Sequence, residues 1–277
     1  MRKMRRPFQR FVRFTFTLIF ALLFFAPFAL VILNSLKPQD QIMTNLLGFP
    51  SSFRWENYVK AWEALNMSRV LFNTVVVTLC SVLLILMLSS MVAYWITRHP
   101  TKYGNFFRNL LLASLLIPFA SVMLPLVKTV SAIGLIGTLW GGVFTYVGIG
   151  LAFATFILSG AVRAIPIEIE TAAMLDGCNV YQLFFRIVLP MLGPTFLSVF
   201  ILDLFWIWND YIVALIMLNG IDLHTIQLAI NKFFGLHSNQ WDLALPAIVM
   251  GIAPIFIVNI LLQKRIVEGV ASGALKG

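Results

Sequence analysis

Six long apolar stretches dominate this chain, and each is long enough to cross about 30 Å of hydrocarbon. They run over residues 14–33, 70–96, 110–130, 139–162, 196–218 and 243–262. Hydrophobic residues make up 60% of the 277 residues and charged residues 11%. A water-soluble globule cannot bury so large an apolar surface. The sequence therefore predicts an all-α integral membrane protein with six transmembrane helices in a single domain, residues 1–277.

The basic residues predict the orientation of these spans. Lysines and arginines precede span one, separate spans two and three, flank the segment between spans four and five, and follow span six, all on one side. Because positive residues favour the cytoplasmic side, both termini are predicted to be cytoplasmic in a bacterial cytoplasmic membrane. The net charge of +9 thus reflects topology, and no basic stripe on a soluble domain indicates nucleic-acid binding. The apolar run near the N-terminus lacks a convincing Ala-x-Ala cleavage site, which favours a retained anchor over a signal peptide.

The segment between spans four and five, residues 163–190, is predicted to form two helices outside the membrane. Glu168 and Glu170 place negative charge at the positive end of the first helix dipole. Gly177 ends that helix, and Asn179 begins a capping box for the second. Each helix has an apolar face, formed by Ile165, Ile169, Ala172 and Ala173 and by Val180, Leu183, Phe184, Ile187 and Val188. We expect the two faces to dock on a partner protein.

This segment resembles the EAA loop of ABC-importer permease subunits, with matches at Ala172, Ala173, Gly177, Ile187, Leu189 and Pro190. The resemblance implies a type I ABC importer fold in which the helix pair packs into a cleft of a cytoplasmic ATPase. Thr171 stands where the family has the glutamate that names the motif, so Glu170 is expected to supply the charge. The coupling residues implied are Glu170, Thr171, Ala172, Ala173, Asp176, Gly177, Ile187, Leu189, Pro190, Gly273, Lys276 and Gly277.

Motifs elsewhere resemble the shorter of the two permeases in maltose-type carbohydrate importers. They are Asn34-Ser35-Leu36-Lys37, Phe49-Pro50, Glu56-Asn57-Tyr58-Val59 and the closing Gly273-Ala274-Leu275-Lys276-Gly277. The resemblance implies ATP-driven import of a sugar, an oligosaccharide, by alternating access. It also implies a second, different permease, two ATPase copies that bind ATP and Mg, and one external solute-binding protein, with no cofactor on this chain. Glycerol-phosphate importers share these motifs and are the alternative.

Span five carries two acids, Asp203 and Asp210, which are seven residues apart and hence predicted on one helical face with Trp206 between them. An ionised carboxylate at mid-bilayer costs roughly 2.5–3.5 kcal/mol, so this face should meet protein or a wet cavity. One interpretation is a sugar pathway lined by Asp203, Trp206, Asn209 and Asp210. The other is a structural carboxylate bonded to a neighbouring span, since Trp208-Asn209-Asp210 resembles a Trp-Asn-Glu/Asp signature of carbohydrate importers.

Other sequence features limit the alternatives. The chain has no Gly-x-x-x-x-Gly-Lys-Ser/Thr loop, nucleophile elbow or His-Glu-x-x-His motif, so no nucleotide site and no catalytic residues are expected. His99, His224 and His237 have no metal-ligand spacing, and Cys80 and Cys178 are not expected to form a disulfide. The acids of span five could instead serve an ion-coupled secondary transporter. Such a carrier, however, has no need of a helix pair that inserts into an ATPase.

Two further segments outside the predicted spans are long enough to form structure of their own. Apolar residues recur at helical spacing between Trp55 and Leu65, which predicts an amphipathic helix at the membrane interface. Residues 219–242 predict an irregular loop and resemble the loop with which importer permeases contact their solute-binding protein. Prolines at positions 118, 125, 246 and 254 predict kinks in spans three and six.

Overall fold

The computed structural model describes residues 5–235 and 239–274, and the regular structure within them is helical apart from one isolated bridge between Phe234 and Asn239. The α-helices, numbered α1 to α14, are Arg5–Ser35, Gln39–Thr44, Glu56–Leu65, Met67–Arg98, Lys102–Ser114, Phe119–Ala132, Leu139–Arg163, Ile167–Leu175, Val180–Leu183, Leu189–Met191, Gly193–Asn209, Ile212–Met217, Ile226–Ile230 and Trp241–Ala274. A π-helical turn occupies Phe184–Val188, and short 3-10 helices occupy Ile221–Leu223 and Asn231–Phe233.

Four helices are long and apolar enough to cross a membrane, over Arg10–Ser35, Met67–Arg98, Leu139–Arg163 and Trp241–Gln263. Two helix pairs meet the same requirement together but are bent. The bend is 110° between Lys102–Ser114 and Phe119–Ala132, and 73° between Val180–Met191 and Gly193–Asn209. The described part of the chain therefore holds four candidate spans, or six when each bent pair counts as one. Six is also the number of apolar stretches, although the second pair begins in the segment predicted to lie outside the membrane.

The predicted third span is broken rather than continuous. Pro118 precedes α6 with an extended ψ of 136°, and the three residues before it separate α5 from α6. Proline has no N–H for the helix ladder, and its ring disfavours a helical conformation at Ile117. The result is a 110° bend. Residues 110–130 therefore do not form one helix, and the break exceeds the kink expected from Pro118 and Pro125.

The predicted fifth span is interrupted as well. Helix α11 ends at Asn209, and Asp210 takes an extended conformation with ψ 135° before α12 begins at Ile212. Residues 196–218 are thus two helices. The placement of Asp203 and Asp210 on one continuous helical face is therefore wrong, because only Asp203 lies inside α11.

The chain divides into two compact units. The first comprises the residues up to Met67 together with Ile230–Ala253, and the second comprises Ser68–Ala229 together with the residues from Pro254 onward. Each unit has its own buried residues.

In the first unit a buried lysine organises the chain that follows α1. Lys37 Nζ donates to Asn34 Oδ1 at 2.8 Å and to the backbone oxygens of Asn45 and Leu46 at 2.8 and 3.3 Å. Burial lowers the pKa of the Lys37 ammonium. The three oxygen acceptors compensate for its removal from water.

The same turn is tied to α3, the amphipathic helix that the sequence predicts. Asn57 Nδ2 donates to the backbone oxygens of Ser35 and Lys37 at 3.2 and 2.9 Å. The hydroxyls of Ser35 and Tyr58 lie 2.7 Å apart. The motifs at 34–37 and 56–59 are therefore two halves of one hydrogen-bonded structure.

In the second unit α7 is the central helix. Ala154, Leu158 and Val162 on α7 are fully buried. At Gly150 an added Cβ would lie 2.6 Å from Ile85 Cδ1 on α4 and 3.3 Å from the Trp206 ring on α11. A side chain at this position would have to displace Ile85, so glycine favours the close approach of α7 to α4 and α11, as is common in membrane bundles.

Candidate functional site

The turn between α8 and α9 has the geometry that the sequence predicts. Gly177 has φ +86°, its N–H donates to the Met174 oxygen at 3.1 Å, and the Cys178 N–H donates to the Ala173 oxygen at 3.0 Å. This is a Schellman motif, in which the left-handed residue favours glycine. Asn179 and Gln182 then form a complete capping box at 2.9 and 3.0 Å. The predicted helix stop and restart are both confirmed.

The apolar faces that were expected to dock on a partner instead pack mostly against this chain itself. Ile165, Ala173, Leu183, Phe184 and Val188 are buried. The ring of Phe184 lies 5.6 Å from that of Tyr94 on α4. These five residues are buried because an amphipathic helix pair packs its apolar stripe on the nearest apolar surface, whereas Ile169, Ala172 and Val180 of the same faces stay exposed.

Four exposed apolar side chains of the pair lie on either side of the Gly177 turn. Leu175 is 84% exposed, Tyr181 76%, Val180 66% and Met174 52%. We call these four residues the docking tip. Four large apolar side chains clustered on a segment outside the apolar stretches indicate an interaction surface. Sequence periodicity did not identify Met174, Leu175 or Tyr181, because they belong to the turn rather than to either helical stripe.

Glu170, which was expected to supply the charge in place of the motif glutamate, is buried. Its side chain is 3% exposed and forms an ion pair with Arg98, with Arg98 Nη2 to Glu170 Oε1 at 2.6 Å and Arg98 Nε to the same oxygen at 2.8 Å. The Tyr94 hydroxyl donates to Glu170 Oε2 at 2.9 Å. The basic residue at the end of α4 thus pairs with this carboxylate inside the chain. We call Arg98, Tyr94 and Glu170 the Arg98 cluster.

The remaining coupling residues are distributed around the pair. Thr171, Ala172 and Asp176 are exposed, and Thr171 Oγ1 donates to the Ile167 oxygen at 3.0 Å. Ile187 and Leu189 are half-buried at the π-helical turn, while Pro190 is exposed. Gly273 lies near the end of α14. Lys276 and Gly277 lie outside the described residues.

The π-helical turn explains how the helix continues to a proline. The Leu189 N–H bonds to the Phe184 oxygen, five residues back. Pro190, which has no N–H, follows this wider turn as the second residue of the short helix α10. The sequence placed Leu189 and Pro190 in the motif, but nothing in its periodicity predicted a π turn.

Asp210 is held by hydrogen bonds within the second unit. Its Oδ2 accepts from the Tyr146 hydroxyl at 2.9 Å and from the Val213 N–H at 2.8 Å. The carboxylate therefore caps α12 and joins it to α7. The Trp206 ring lies 5.8 Å from that of Tyr146, and Asn209 Nδ2 donates to the Phe205 oxygen at 2.8 Å. These contacts match the structural-carboxylate interpretation of Asp210.

Asp203 has a different environment. It is 2% exposed, and its Oδ2 atom is buried without a hydrogen-bond partner among the described residues. It lines a groove of about 380 Å³ together with Leu115, Ile149, Gly150, Phe153, Leu202 and Trp206. The groove thus brings together Asp203 and Trp206 of the predicted pathway residues. Asn209 and Asp210 are not among its lining residues.

Metal and disulfide chemistry have no support in the described residues. No group of three or more His, Cys, Asp or Glu side chains there is arranged to hold a metal ion. Cys80 and Cys178 are both free thiols.

The geometry agrees with the similarity of the chain to known transport proteins. A family profile described as binding-protein-dependent transport system inner membrane component matches residues 85–270. A probable starch degradation products transport system permease protein of Thermoanaerobacterium thermosulfurigenes is 34% identical over 97% of both chains. A melibiose, raffinose and stachyose import permease of Bacillus subtilis strain 168 is 32% identical over 91% of this chain and 92% of that protein.

A solved structure shares the fold. A chain of a bacterial ABC transporter involved in the import of the acidic polysaccharide alginate superposes with a TM-score of 0.81 and 20% identity, covering 95% of this chain and 97% of that chain. The prediction of an all-helical permease with the type I importer fold is confirmed. With its profile match and its relatives over nearly the whole length, this chain belongs to the family of inner membrane components of binding-protein-dependent transport systems.

Proposed function

We propose that this chain is the permease subunit of an ATP-driven sugar importer that works by alternating access. The sugar that it moves is an oligosaccharide. The relatives described above are named for starch degradation products and for raffinose-type oligosaccharides. The sequence motifs at 34–37, 56–59 and 273–277 favour the same solute class. Glycerol phosphate, which the motifs alone leave open, has no support from those two relatives.

In the proposed assembly the chain pairs with a second, different permease and two copies of a cytoplasmic ATPase, which bind ATP and Mg. An external solute-binding protein delivers the sugar. The assembly lies in the bacterial cytoplasmic membrane and contacts its lipid. Basic residues at the ends of the apolar stretches favour cytoplasmic termini and a cytoplasmic helix pair.

The observation that carries the coupling role is the docking tip. Leu175 and Tyr181 are more than three-quarters exposed, while the opposite faces of α8 and α9 are buried against this chain. A rigidly mounted apolar tip of this kind fits a cleft in a partner protein. Thr171, Ala172 and Asp176 are also exposed and extend the proposed contact surface, whereas Glu170 is buried.

For the solute we propose a pathway that includes Asp203 and Trp206. The groove beside them offers one carboxylate and one indole, groups that suit sugar hydroxyls and the apolar face of a pyranose ring. Asn209 and Asp210 were expected to line the same pathway. We assign Asp210 to the structure of the span, because two donors already occupy its Oδ2 atom.

Reconstitution tests the proposed energy source. Vesicles containing this chain with its partner subunits and solute-binding protein should accumulate sugar only with ATP and Mg on the ATPase side. A protonophore should leave that uptake unchanged. Uptake that stops with the protonophore while ATP is plentiful would instead favour an ion-coupled carrier.

A matched pair of glycine variants tests the docking tip. Gly177 and Gly134 have φ values of +86° and +71°, and an added Cβ at either meets no atom within 4 Å. Valine at each position should therefore cost a similar backbone strain, about 1–2 kcal/mol. Gly177→Val should lower sugar uptake because it misplaces the tip, whereas Gly134→Val at equal expression should retain it. Equal uptake by the two variants would contradict a coupling role for this turn.

A further inference from the structure

The Arg98 cluster joins three helices through a single guanidinium group. Arg98 is the last residue of α4, and its partner Glu170 lies in α8, 72 residues further along the chain. Arg98 Nη2 also donates to the backbone oxygens of Val162 and Ile165 at 3.0 and 2.8 Å. Val162 lies in the last turn of α7 and Ile165 just after that helix, where carbonyls lack partners within the helix. One side chain thus fixes the end of α4, the end of α7 and the start of the helix pair.

The cluster is buried, so breaking it leaves charges without partners. The Arg98 side chain is 13% exposed and that of Glu170 is 3% exposed. Removing one member of such a pair is far more damaging than replacing both, because the remaining charge stays buried. A planar guanidinium with several donors can bind a carboxylate and carbonyls at the same time, whereas a lysine ammonium cannot reproduce that fork.

The contribution of the Arg98 cluster to the stability of the fold does not by itself account for its presence. A buried ion pair contributes little compared with apolar side chains of the same volume. What the ion pair provides is a fixed orientation of the helices that it joins. The docking tip is carried by α8 and α9, and Glu170 is the charged residue of α8 that faces inward.

We propose that the Arg98 cluster transmits displacement of the helix pair to α4 and α7. Arg98, Glu170 and Tyr94 are positioning residues, and none of them lines the groove beside Asp203. When a partner ATPase moves the docking tip, the fork at Arg98 makes α8 and the ends of the two spans move together. This inference rests on the proposed function of the helix pair.

The test measures the number of sugars imported per ATP hydrolysed in reconstituted vesicles. Arg98→Lys keeps the positive charge but loses the fork, and Glu170→Gln keeps the shape but loses the negative charge. Both should lower the ratio of uptake to hydrolysis by about threefold or more, a size typical of mutations that alter coupling between sites. Hydrolysis per assembled complex should stay near the wild-type value.

Matched controls come from the same elements. Arg163→Lys changes an exposed arginine at the end of α7, and Glu168→Gln changes an exposed glutamate on α8. Both should keep the wild-type ratio. Tyr94→Phe removes a single hydrogen bond from the cluster. It should assemble even if the charged variants do not, and it should lower the ratio by a smaller factor.

The outcomes separate this inference from the proposed function. If Tyr94→Phe and any assembled charge variant keep the wild-type ratio, the cluster is only a scaffold and the inference is overturned. If uptake and hydrolysis fall together in proportion to the amount of complex, the same conclusion follows. If the wild-type complex shows no ATP-dependent uptake, it is the proposed function itself that fails.

Discussion

Two aspartates seven residues apart on the same apolar stretch have opposite environments. Asp210 ends α11 and accepts two hydrogen bonds through Oδ2, from Tyr146 and from the Val213 backbone. Asp203 lies inside α11, and its buried Oδ2 has no partner among the residues that the structure describes. Both acids face protein rather than lipid, as the cost of a charge in hydrocarbon requires. The contacts of this chain account for the placement of Asp210 but not for the burial of Asp203.

The difference shows that burial alone does not define the role of an intramembrane acid. A carboxylate oxygen that already accepts two hydrogen bonds, as Asp210 Oδ2 does, has little capacity to accept another from a solute. A carboxylate with a buried free acceptor beside a groove carries a cost that a ligand hydroxyl would relieve. Mutations whose effects on stability and on transport are measured separately can therefore distinguish the two residues.

The largest effect on stability is expected from Asp210→Ala. This change leaves the Tyr146 hydroxyl and the Val213 N–H without their acceptor, at about 2–4 kcal/mol for the two buried groups. The melting temperature of the detergent-solubilised complex should fall clearly. Asp210→Asn retains one acceptor oxygen and should recover most of the loss. An unchanged melting temperature in Asp210→Ala would remove the structural role.

A smaller loss is expected from Tyr146→Phe. The ring and its packing remain, Asp210 keeps the bond from Val213, and one hydrogen bond is lost, at about 1 kcal/mol. Because the two residues are bonded to each other, the double variant with Asp210→Ala should cost less than the sum of the single changes. Strict additivity of the melting-temperature shifts would show that the bond contributes nothing.

The smallest change in stability is expected from Asp203→Asn, because Oδ2 has no hydrogen bond to lose and the shape of the side chain is kept. Transport should nevertheless change, and the relative uptake of two oligosaccharides of different length should differ from the wild type. Leu202→Ala, at another residue of the groove, serves as the control for altered packing. Loss of complex with unchanged sugar preference would place Asp203 in the structural class beside Asp210.

The sequence predicted the features that depend on neighbouring residues. The capping box at Asn179, the turn at Gly177 and the apolar spans are local, and each follows from residue types within one or two helical turns. The orientation of Glu170 is not local. It is set by Arg98, and no rule of spacing connects two positions that far apart in the chain.

The failure at Asp210 has a similar cause. Seven residues of helical periodicity place Asp203 and Asp210 on one face only if the helix continues. Asp210 itself ends that continuity, because its side chain caps the backbone of the next segment and thereby favours an extended conformation at its own position. An aspartate that can cap a helix was present in the sequence, but it lies within a long apolar stretch, which predicted one continuous span.

The buried lysine after α1 has a consequence for how the protein is made. Its acceptors lie within nine residues of it, and the contacts between Asn57, Tyr58 and the turn span no more than 23 residues. None of the described bonds at Lys37 requires the later spans. Because contacts of short sequence separation form early, this turn can close while the ribosome is still synthesising the second span. The end of α1 would then already be anchored to α3, although none of the apolar length of α1 is buried in the described chain. Replacing Lys37 should therefore impair biogenesis. The amount of inserted protein should fall more than the transport rate per inserted molecule.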